Sequence, residues 1–203
     1  SLALNPKYVV VGAPTDLKVV LSQKAMAVFR VTVGYQLVER DARGFNRRID
    51  LYSFGKSAHA SGPELGNNAI LQLSEFLQQA MESGFEMRFT RMDGGDMANK
   101  VPDRSMAEFY LTSHQFEDFK RFFRETIKLQ GKERAFRVEL GGLGDMGVKF
   151  LPDAVFKSVT EVVGFFRTLA SEFESARDDS FMPPYPTVNL GLVRQKPNSV
   201  ELT

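Results

Sequence analysis

The sequence contains no cysteine and no tryptophan, and only 2 histidines among its 203 residues. The absence of cysteine excludes disulfides, thiolate metal sites and cysteine nucleophiles, so a reducing compartment is unremarkable and the cytoplasm is the default prediction. An excess of charge of one sign is also missing, because 26 basic and 25 acidic side chains leave a formal net charge of +1. No global field would therefore attract nucleic acid or an anionic membrane. The apolar runs, such as residues 8–11, are far too short to cross a bilayer.

What is present is the composition of a folded protein. Apolar residues make up 43% and charged residues 25% of the chain, with 18 phenylalanines against 5 tyrosines. A chain of this length can bury a real core, and it fits one large domain or two small ones.

Hydrophobic periodicity predicts alternating strands and helices. Apolar side chains at helical spacing predict an amphipathic helix over residues 67–83, with Asn67 as a candidate cap, and a second over residues 116–127. β-rich or alternating patterns predict strands at residues 25–35, 48–54, 85–92, 105–112 and 135–140. Strand, helix, strand, strand, helix, strand is the order of a ferredoxin-like split βαβ unit. The sequence therefore predicts an α+β fold, an antiparallel sheet with both helices on one face.

The last third of the chain repeats part of this order. After a glycine-rich loop at residues 141–144, the pattern predicts a long helix over residues 155–173 and strands at 187–194 and 200–203 around a turn at 195–199. Two interpretations stay open. The repeat is either a degenerate duplication, in which residues 134–203 form a second half-unit, or a return of the chain toward another domain.

Three stretches carry a resemblance to a known enzyme family. Val9–Leu17 (VVVGAPTDL) resembles a strand that ends in a Gly-Glu-Pro-Thr loop. Gly55–Ile70 (GKSAHASGPELGNNAI) is similar to the segment that leads from a lid strand through an exposed histidine into the first lid helix. Gly94–Asp103 (GGDMANKVPD) is similar to the glycine pair and Asn-x-x-Pro loop between two lid strands. In this order the stretches resemble the zinc metallopeptidases that include aminoacylases, acetylornithine deacetylases, succinyl-diaminopimelate desuccinylases, glutamate carboxypeptidases and aminoacyl-histidine dipeptidases.

The resemblance implies a domain organisation. Residues 1–22 would be the edge of a catalytic domain outside this chain, and residues 23–133 a lid and dimerisation domain. Residues 134–203, of which Thr187–Thr203 have a weaker likeness to a lid hairpin of the dipeptidase branch, would be a second lid half-unit or a return toward the catalytic domain. The implied partners are that catalytic domain and a second copy joined through the lid, with no nucleic acid and no membrane. An enlarged lid could instead make the full-length parent protein, of which this chain would be a part, monomeric.

The resemblance also implies a role for His59. In the family, two zinc ions activate a water, a glutamate takes its proton, and the hydroxide attacks an amide carbonyl. His59 would donate a hydrogen bond to the resulting oxyanion, in dimers at the partner's active site. The alternative is a surface loop histidine that bonds to backbone near a helix start. His114, the other histidine, is expected to cap or solvate a helix, without a catalytic role.

The other implied site residues lie in the two lid loops. Asn99 would hold substrate or the opposing subunit, and Gly94 with Gly95 would let the backbone approach closely. The alternative is a hairpin turn in which these residues supply unusual dihedral angles. Asn68 is expected to cap or pack its helix.

Ala13 is the clearest departure from the family pattern. It stands where the family has a zinc-binding glutamate, and Asp16 is the nearest carboxylate. No metal ligand is therefore predicted in this chain, zinc is implied only for the full-length parent, and this chain alone is not expected to hydrolyse anything.

Two further classes of function stay as alternatives. A catalytically inactive homologue that only binds its ligand is favoured by Ala13. An RNA- or small-ligand-binding module shares the split βαβ order, but strands 85–92 and 105–112 lack the Lys/Arg-Gly-Phe-type pattern with stacking rings that RNA recognition requires.

Overall fold

The computed structural model describes residues 25–37, 44–143 and 148–203, apart from Met182. The segment Val9–Leu17, which resembles a strand and its loop and contains Ala13 and Asp16, lies outside the described residues. The described chain contains seven strands and three helices: β1 (Val31–Gly34), β2 (Phe45–Phe54), α1 (Ala69–Glu82), β3 (Arg88–Gly94), β4 (Arg104–Thr112), α2 (Ser113–Leu129), β5 (Phe136–Leu143), α3 (Asp153–Glu174), β6 (Val193–Lys196) and β7 (Ser199–Leu202).

All seven strands form one antiparallel sheet in the order β1-β7-β6-β3-β4-β2-β5. The part β3-β4-β2-β5 has the strand order of the split βαβ unit, so the predicted fold class is confirmed. Strands β6, β7 and β1 extend this unit beyond β3. The C-terminal hairpin therefore adds to the same sheet and builds no sheet of its own.

The helices cover one face of the sheet. Helices α1 and α2 pack on β2 and β4, while α3 packs beside α1 on β1, β3 and β7. Phe119 of α2 is fully buried, and its ring lies 5.4 Å from that of Phe85, 5.5 Å from that of Phe109 and 6.3 Å from that of Phe76. Burial stabilises the fold by about 1.5–3 kcal/mol for each such side chain.

The opposite face of the sheet carries the alternate side chains of each strand, which are mostly charged, although Tyr110 packs there against Phe150. Several of its charges are paired: Arg48 bonds to Asp50 and Glu108, Arg91 bonds to Asp93, and the guanidinium of Arg137 lies 4.7 Å from the centre of the Tyr52 ring. This face, called the open face below, is therefore exposed to solvent. No helix among the described residues is long and apolar enough to cross a membrane.

Several predicted boundaries are wrong. The cap of α1 is Asn68, whose side chain accepts from the backbone N–H groups of Ile70 and Leu71, and not Asn67. Strand β5 continues to Leu143, through the predicted glycine loop, because Gly141 leaves room for Arg48 on the neighbouring strand; a Cβ there would lie 2.9 Å from the Arg48 Cβ. At the ends, β1 is only four residues long, and the last hairpin turns at residues 197–198.

Candidate functional site

The predicted site residues lie in loops at one end of the sheet. The His loop, residues 55–68, joins β2 to α1, and the Asn loop, residues 95–103, joins β3 to β4. A third segment, residues 187–192, leads into β6 and is here called the buttress. The three segments meet because β2 and β3 end, and β4 and β6 begin, at the same end of the sheet.

The His loop is closed at its base by backbone pairing. The N–H of Lys56 donates to the carbonyl of Asn67 at 3.0 Å, and the N–H of Asn67 donates back at 2.8 Å. Gly66 packs inside the loop, where a Cβ would lie 2.7 Å from the Lys56 carbonyl and 2.9 Å from Val101. The loop therefore has a defined shape that depends on glycine at this position.

His59 lies where the His loop pairs with the Asn loop. The N–H of Val101 donates to the carbonyl of Ala58 at 2.8 Å, the N–H of Ala60 donates to that of Asn99 at 3.0 Å, and His59 forms a bridge opposite Lys100. The imidazole is exposed, and its Nδ1 contacts the Ser61 N–H at 3.2 Å and the Ser61 Oγ at 2.7 Å. Backbone pairing thus holds an exposed imidazole in a defined place.

Asn99 is one residue from the bridge partner of His59, so the structure brings these two predicted site residues together. Its backbone carbonyl accepts from Ala60, and the residue is exposed. An amide side chain at this place can donate a hydrogen bond to a ligand oxygen without adding charge.

Lys100 is held in a small charge network. Its ammonium group lies 3.0 Å from Asp96 and 3.1 Å from Asp103, and these two contacts raise the pKa of Lys100. The pKa of Asp103 is lowered, first by a 2.6 Å hydrogen bond from the Ser57 hydroxyl and then by Lys100. The cation beside His59 is therefore neutralised within the loops and is not presented to a ligand as a free charge.

Gly94 and Gly95 are required by packing within the chain. A Cβ on Gly94 would lie 2.6 Å from Ile70 of α1, and a Cβ on Gly95 would lie 1.9 Å from the carbonyl oxygen of Gly191. Gly95 also has a φ of +73°, which favours glycine. The close approach expected of these glycines is therefore made to their own chain, and their contact with a substrate stays a prediction.

The buttress joins both loops through side chains. Asn189 donates to the carbonyl of Lys100 at 2.9 Å, and Thr187 donates to that of Ala60 at 3.4 Å. Asn68, besides capping α1, donates to the carbonyl of Leu190 at 3.0 Å. Sequence reasoning did not assign Asn189 to the site. The only signal was the weak hairpin likeness of residues 187–203.

His114 is not part of this arrangement. It is exposed in the first turn of α2, whose cap is Thr112. The expectation that His114 is solvated agrees with this position, whereas a capping role does not.

The described residues do not fit a zinc site. Within residues 25–37, 44–143 and 148–203, no group of three or more histidine, aspartate or glutamate side chains lies close enough together to hold a metal ion. Ala13 and Asp16 lie outside these ranges, so the predicted loss of a metal ligand at that loop stays a prediction.

The open face carries a wide groove of about 670 Å³ between Tyr35, Thr90 and Arg194. Of the predicted site residues, Gly94 and Gly95 line it, whereas His59 and Asn99 do not. Its acidic residues are engaged, since Glu108 accepts from Thr90 and pairs with Arg48, and Asp93 pairs with Arg91. The groove is therefore a feature of the solvated sheet face that reaches the loop site only at Gly94 and Gly95.

Comparison with protein families matches residues 47–134 to the peptidase dimerisation domain. This range contains the whole split βαβ unit except the first residues of β2 and all of β5, and it includes both loops. Residues 47–134 are a peptidase dimerisation domain. Strands β1, β5, β6 and β7 with helix α3 lie outside the matched range and complete the sheet around it.

Among solved structures, the dimerisation domain and its extension share their fold with aminoacylhistidine dipeptidase from Vibrio alginolyticus, at a TM-score of 0.63 and 15% identity. The match covers 85% of this chain and 36% of the dipeptidase, so the chain spans about a third of that protein. Aminopeptidase PepT from Bacillus cereus ATCC 10987 is 22% identical over 48% of this chain and 29% of its own, with a TM-score of 0.38. No curated protein matches the sequence.

Proposed function

We propose that this chain is the lid and dimerisation part of a zinc-dependent hydrolase that cleaves amide or peptide bonds of acylated amino acids or short peptides. The observation that carries the proposal is His59, which the dimerisation domain presents as an exposed imidazole at the junction of two hydrogen-bonded loops. Zinc would be bound by a catalytic domain outside residues 23–203, with residues 1–22 as its edge. There it would supply activated water.

In this proposal His59 acts on the transition state. Attack on an amide carbonyl places negative charge on its oxygen, and an imidazole N–H aimed at that oxygen stabilises charge that is absent from the ground state. A single donor of this kind contributes about 10²–10³ in kcat. Asn99, beside it, would donate to a substrate carboxylate, while Gly94 and Gly95 set the path of the loop that carries Asn99.

We infer further that residues 134–203 belong to the lid. The support is that β5, β6, β7 and α3 complete the sheet of the dimerisation domain, and that the buttress bonds to the His and Asn loops. A degenerate duplication is compatible with this arrangement. The lid then acts as one body, so its closure would move His59 and Asn99 together.

The proposed partners are the catalytic domain and a second copy of this chain. The sheet has two edges, β1 and β5, at which a symmetric pair of copies could add strand to strand. In a dimer of this kind His59 would reach the partner's active site. If the extended lid prevents pairing, His59 would serve its own catalytic domain.

A catalytically inactive binding homologue is the second candidate. Ala13, where the family has a zinc-binding glutamate, is the observation that favours it. The sequence of the parent upstream of this chain discriminates the two, because an active enzyme needs its remaining metal ligands and its paired glutamates.

The decisive experiment is made in the full-length parent with zinc bound. We expect His59→Ala to lower kcat by about 10²–10³ with a smaller change in KM, because the lost bond forms only in the transition state. His114→Ala is the matched control and should keep wild-type kcat. Equal activity of His59→Ala and wild type would overturn the role of His59.

The oligomeric state is measured on the chain itself. Light scattering across a concentration series, run beside a zinc titration, should give a dimer that binds no zinc if the lid pairs and supplies His59 in trans. A monomer would assign His59 to its own catalytic domain. Stoichiometric zinc binding by the chain would contradict the placement of the metal in the catalytic domain.

A further inference from the structure

Ser61 makes two contacts with one atom of the His59 ring. Its backbone N–H donates to Nδ1 at 3.2 Å, and its hydroxyl lies 2.7 Å from the same nitrogen. The N–H of Gly62 donates to the carbonyl of His59 at 3.0 Å, which closes a tight turn over residues 59–62. The turn therefore places the Ser61 N–H against the ring.

The chemistry of imidazole makes this contact informative. A neutral imidazole carries one proton, either on Nδ1 or on Nε2, and the other nitrogen accepts through a single in-plane lone pair. A backbone N–H can only donate. An Nδ1 that accepts from Ser61 must be unprotonated, and the proton of the neutral ring is then on Nε2.

We propose that Ser61 is a positioning residue, whose backbone N–H holds His59 in the tautomer with its proton on Nε2. This inference rests on the proposed function, in which His59 acts as a neutral hydrogen-bond donor. Nε2 is the ring nitrogen remote from the turn, so its N–H is the one that can reach a substrate oxygen. The hydroxyl of Ser61 fits either tautomer, because it can donate or accept, and with the proton on Nε2 it donates to Nδ1 as well.

The arrangement has a catalytic consequence. A ring that spends part of its time in the other tautomer presents a lone pair to the oxyanion, which repels it. Fixing the tautomer before substrate arrives removes that fraction and requires no reorganisation during the reaction. Backbone, and not a carboxylate, does the fixing here, so no negative charge is placed beside a developing oxyanion.

The test is long-range ¹H–¹⁵N NMR of the imidazole rings in the 203-residue chain at about pH 9, where imidazoles are neutral. The chain has 2 histidines, and His114→Asn assigns the remaining signals to His59. We expect a pyridine-type Nδ1 and a pyrrole-type Nε2 for His59, with a scalar coupling between the Ser61 amide nitrogen and Nδ1. The exposed His114 should show the averaged shifts of two exchanging tautomers.

Two variants separate backbone from hydroxyl. Ser61→Ala keeps the N–H and should keep the single-tautomer shifts, whereas Ser61→Pro removes the N–H and should move Nδ1 toward the averaged value of His114. Protection of the Ala60 and Val101 amides from exchange reports whether the loop pairing survives in Ser61→Pro. Averaged shifts or a protonated Nδ1 in the wild type would overturn the proposal, as would averaging in Ser61→Ala or a single tautomer in an intact Ser61→Pro.

The outcome is separable from that of the proposed function. NMR reports the tautomer in the isolated chain, whatever the parent catalyses. A fixed Nε2–H together with full activity of His59→Ala in the parent would refute the catalytic role alone. An averaged ring together with a large loss of kcat would refute the role of Ser61 alone.

Discussion

On the covered face of the sheet, Phe119 is fully buried among the rings of Phe76, Phe85 and Phe109, whereas at the end of the sheet His59 is exposed and held by backbone pairing. The first region is held by apolar contact, which is strong and has no strict direction. The second is held by individual hydrogen bonds and by glycines that admit a neighbouring backbone. Stability is therefore concentrated under the helices, and geometry is specified in the loops.

This difference predicts two kinds of variant. A change in the core should lower the free energy of unfolding and leave the loop geometry intact in the molecules that remain folded. A change in the loops should alter local order around His59 at a smaller cost in stability.

The largest effect is expected for Phe119→Ala. Removing a fully buried ring leaves a cavity between α2 and the sheet, and such truncations cost about 3–5 kcal/mol of unfolding free energy. Urea unfolding followed by circular dichroism measures this cost. Phe165→Ala is the matched control, because Phe165 is 61% exposed on α3, and it should stay within about 0.5 kcal/mol of wild type. Equal losses in the two variants would contradict the position of the core.

Gly95→Ala should have the next largest effect. The residue has a φ of +73°, and its new Cβ would lie 1.9 Å from the Gly191 carbonyl oxygen, so the Asn loop and the buttress must separate. We expect a loss of about 3 kcal/mol, together with faster exchange of the hydrogen-bonded amides of Gly191 and Ala60.

Gly84→Ala controls for the dihedral angle alone. Gly84 has a φ of +91°, and its Cβ would have nothing within 4 Å, so the change should cost only about 1 kcal/mol. A loss in Gly95→Ala no greater than that in Gly84→Ala would show that the contact with Gly191 does not constrain the loops.

The covered face was accessible to sequence reasoning because its pattern is local. Ile70, Leu73 and Leu77 recur at helical spacing and are buried on α1 as predicted, and alternation located β2 and β4. Met81 continues the same helical spacing but is 43% exposed, because it lies in the last turn of α1. Local periodicity thus fixes which face is apolar, and it loses accuracy at the ends of elements.

The loops were accessible only in part. The resemblance singled out His59 and Asn99, which the structure brings together, but their support comes from residues distant in the sequence. Asn68 and Leu190 are separated by 122 positions, and Asn189 and Lys100 by 89. No periodic pattern connects such residues. The role of Gly95 was likewise hidden, because the atom it must avoid belongs to Gly191.

Asn68 allows the two functions of one side chain to be separated. Asn68→Ala removes the cap of α1 and the bond to the Leu190 carbonyl, and the loss of the cap alone costs about 1 kcal/mol. Asn68→Ser keeps a capping oxygen but is too short to donate to the buttress. We therefore expect the unfolding free energy of Asn68→Ser, measured in urea, to lie close to that of wild type. Amide exchange at Ala60 should be faster than in wild type, and equally fast in Asn68→Ala and Asn68→Ser, because both variants lose the bond to the buttress. Wild-type protection at Ala60 in Asn68→Ser would mean that the buttress does not depend on Asn68.

Ser57→Ala is expected to have the smallest effect, and it tests the electrostatics of the Asn loop. The Ser57 hydroxyl is the first cause of the lowered pKa of Asp103, ahead of Lys100. Because the pKa is lower in the folded chain, this contact stabilises the loop above the unfolded pKa of aspartate and is lost as the pH falls through the folded value.

In Ser57→Ala the midpoint of the Asp103 carboxyl ¹³C titration should rise, so the contact with Lys100 is lost at a higher pH than in wild type. Global stability at neutral pH should change little, since the groups are solvent-exposed and screened. An unchanged midpoint at Asp103 in Ser57→Ala would show that the Ser57 hydroxyl does not lower its pKa.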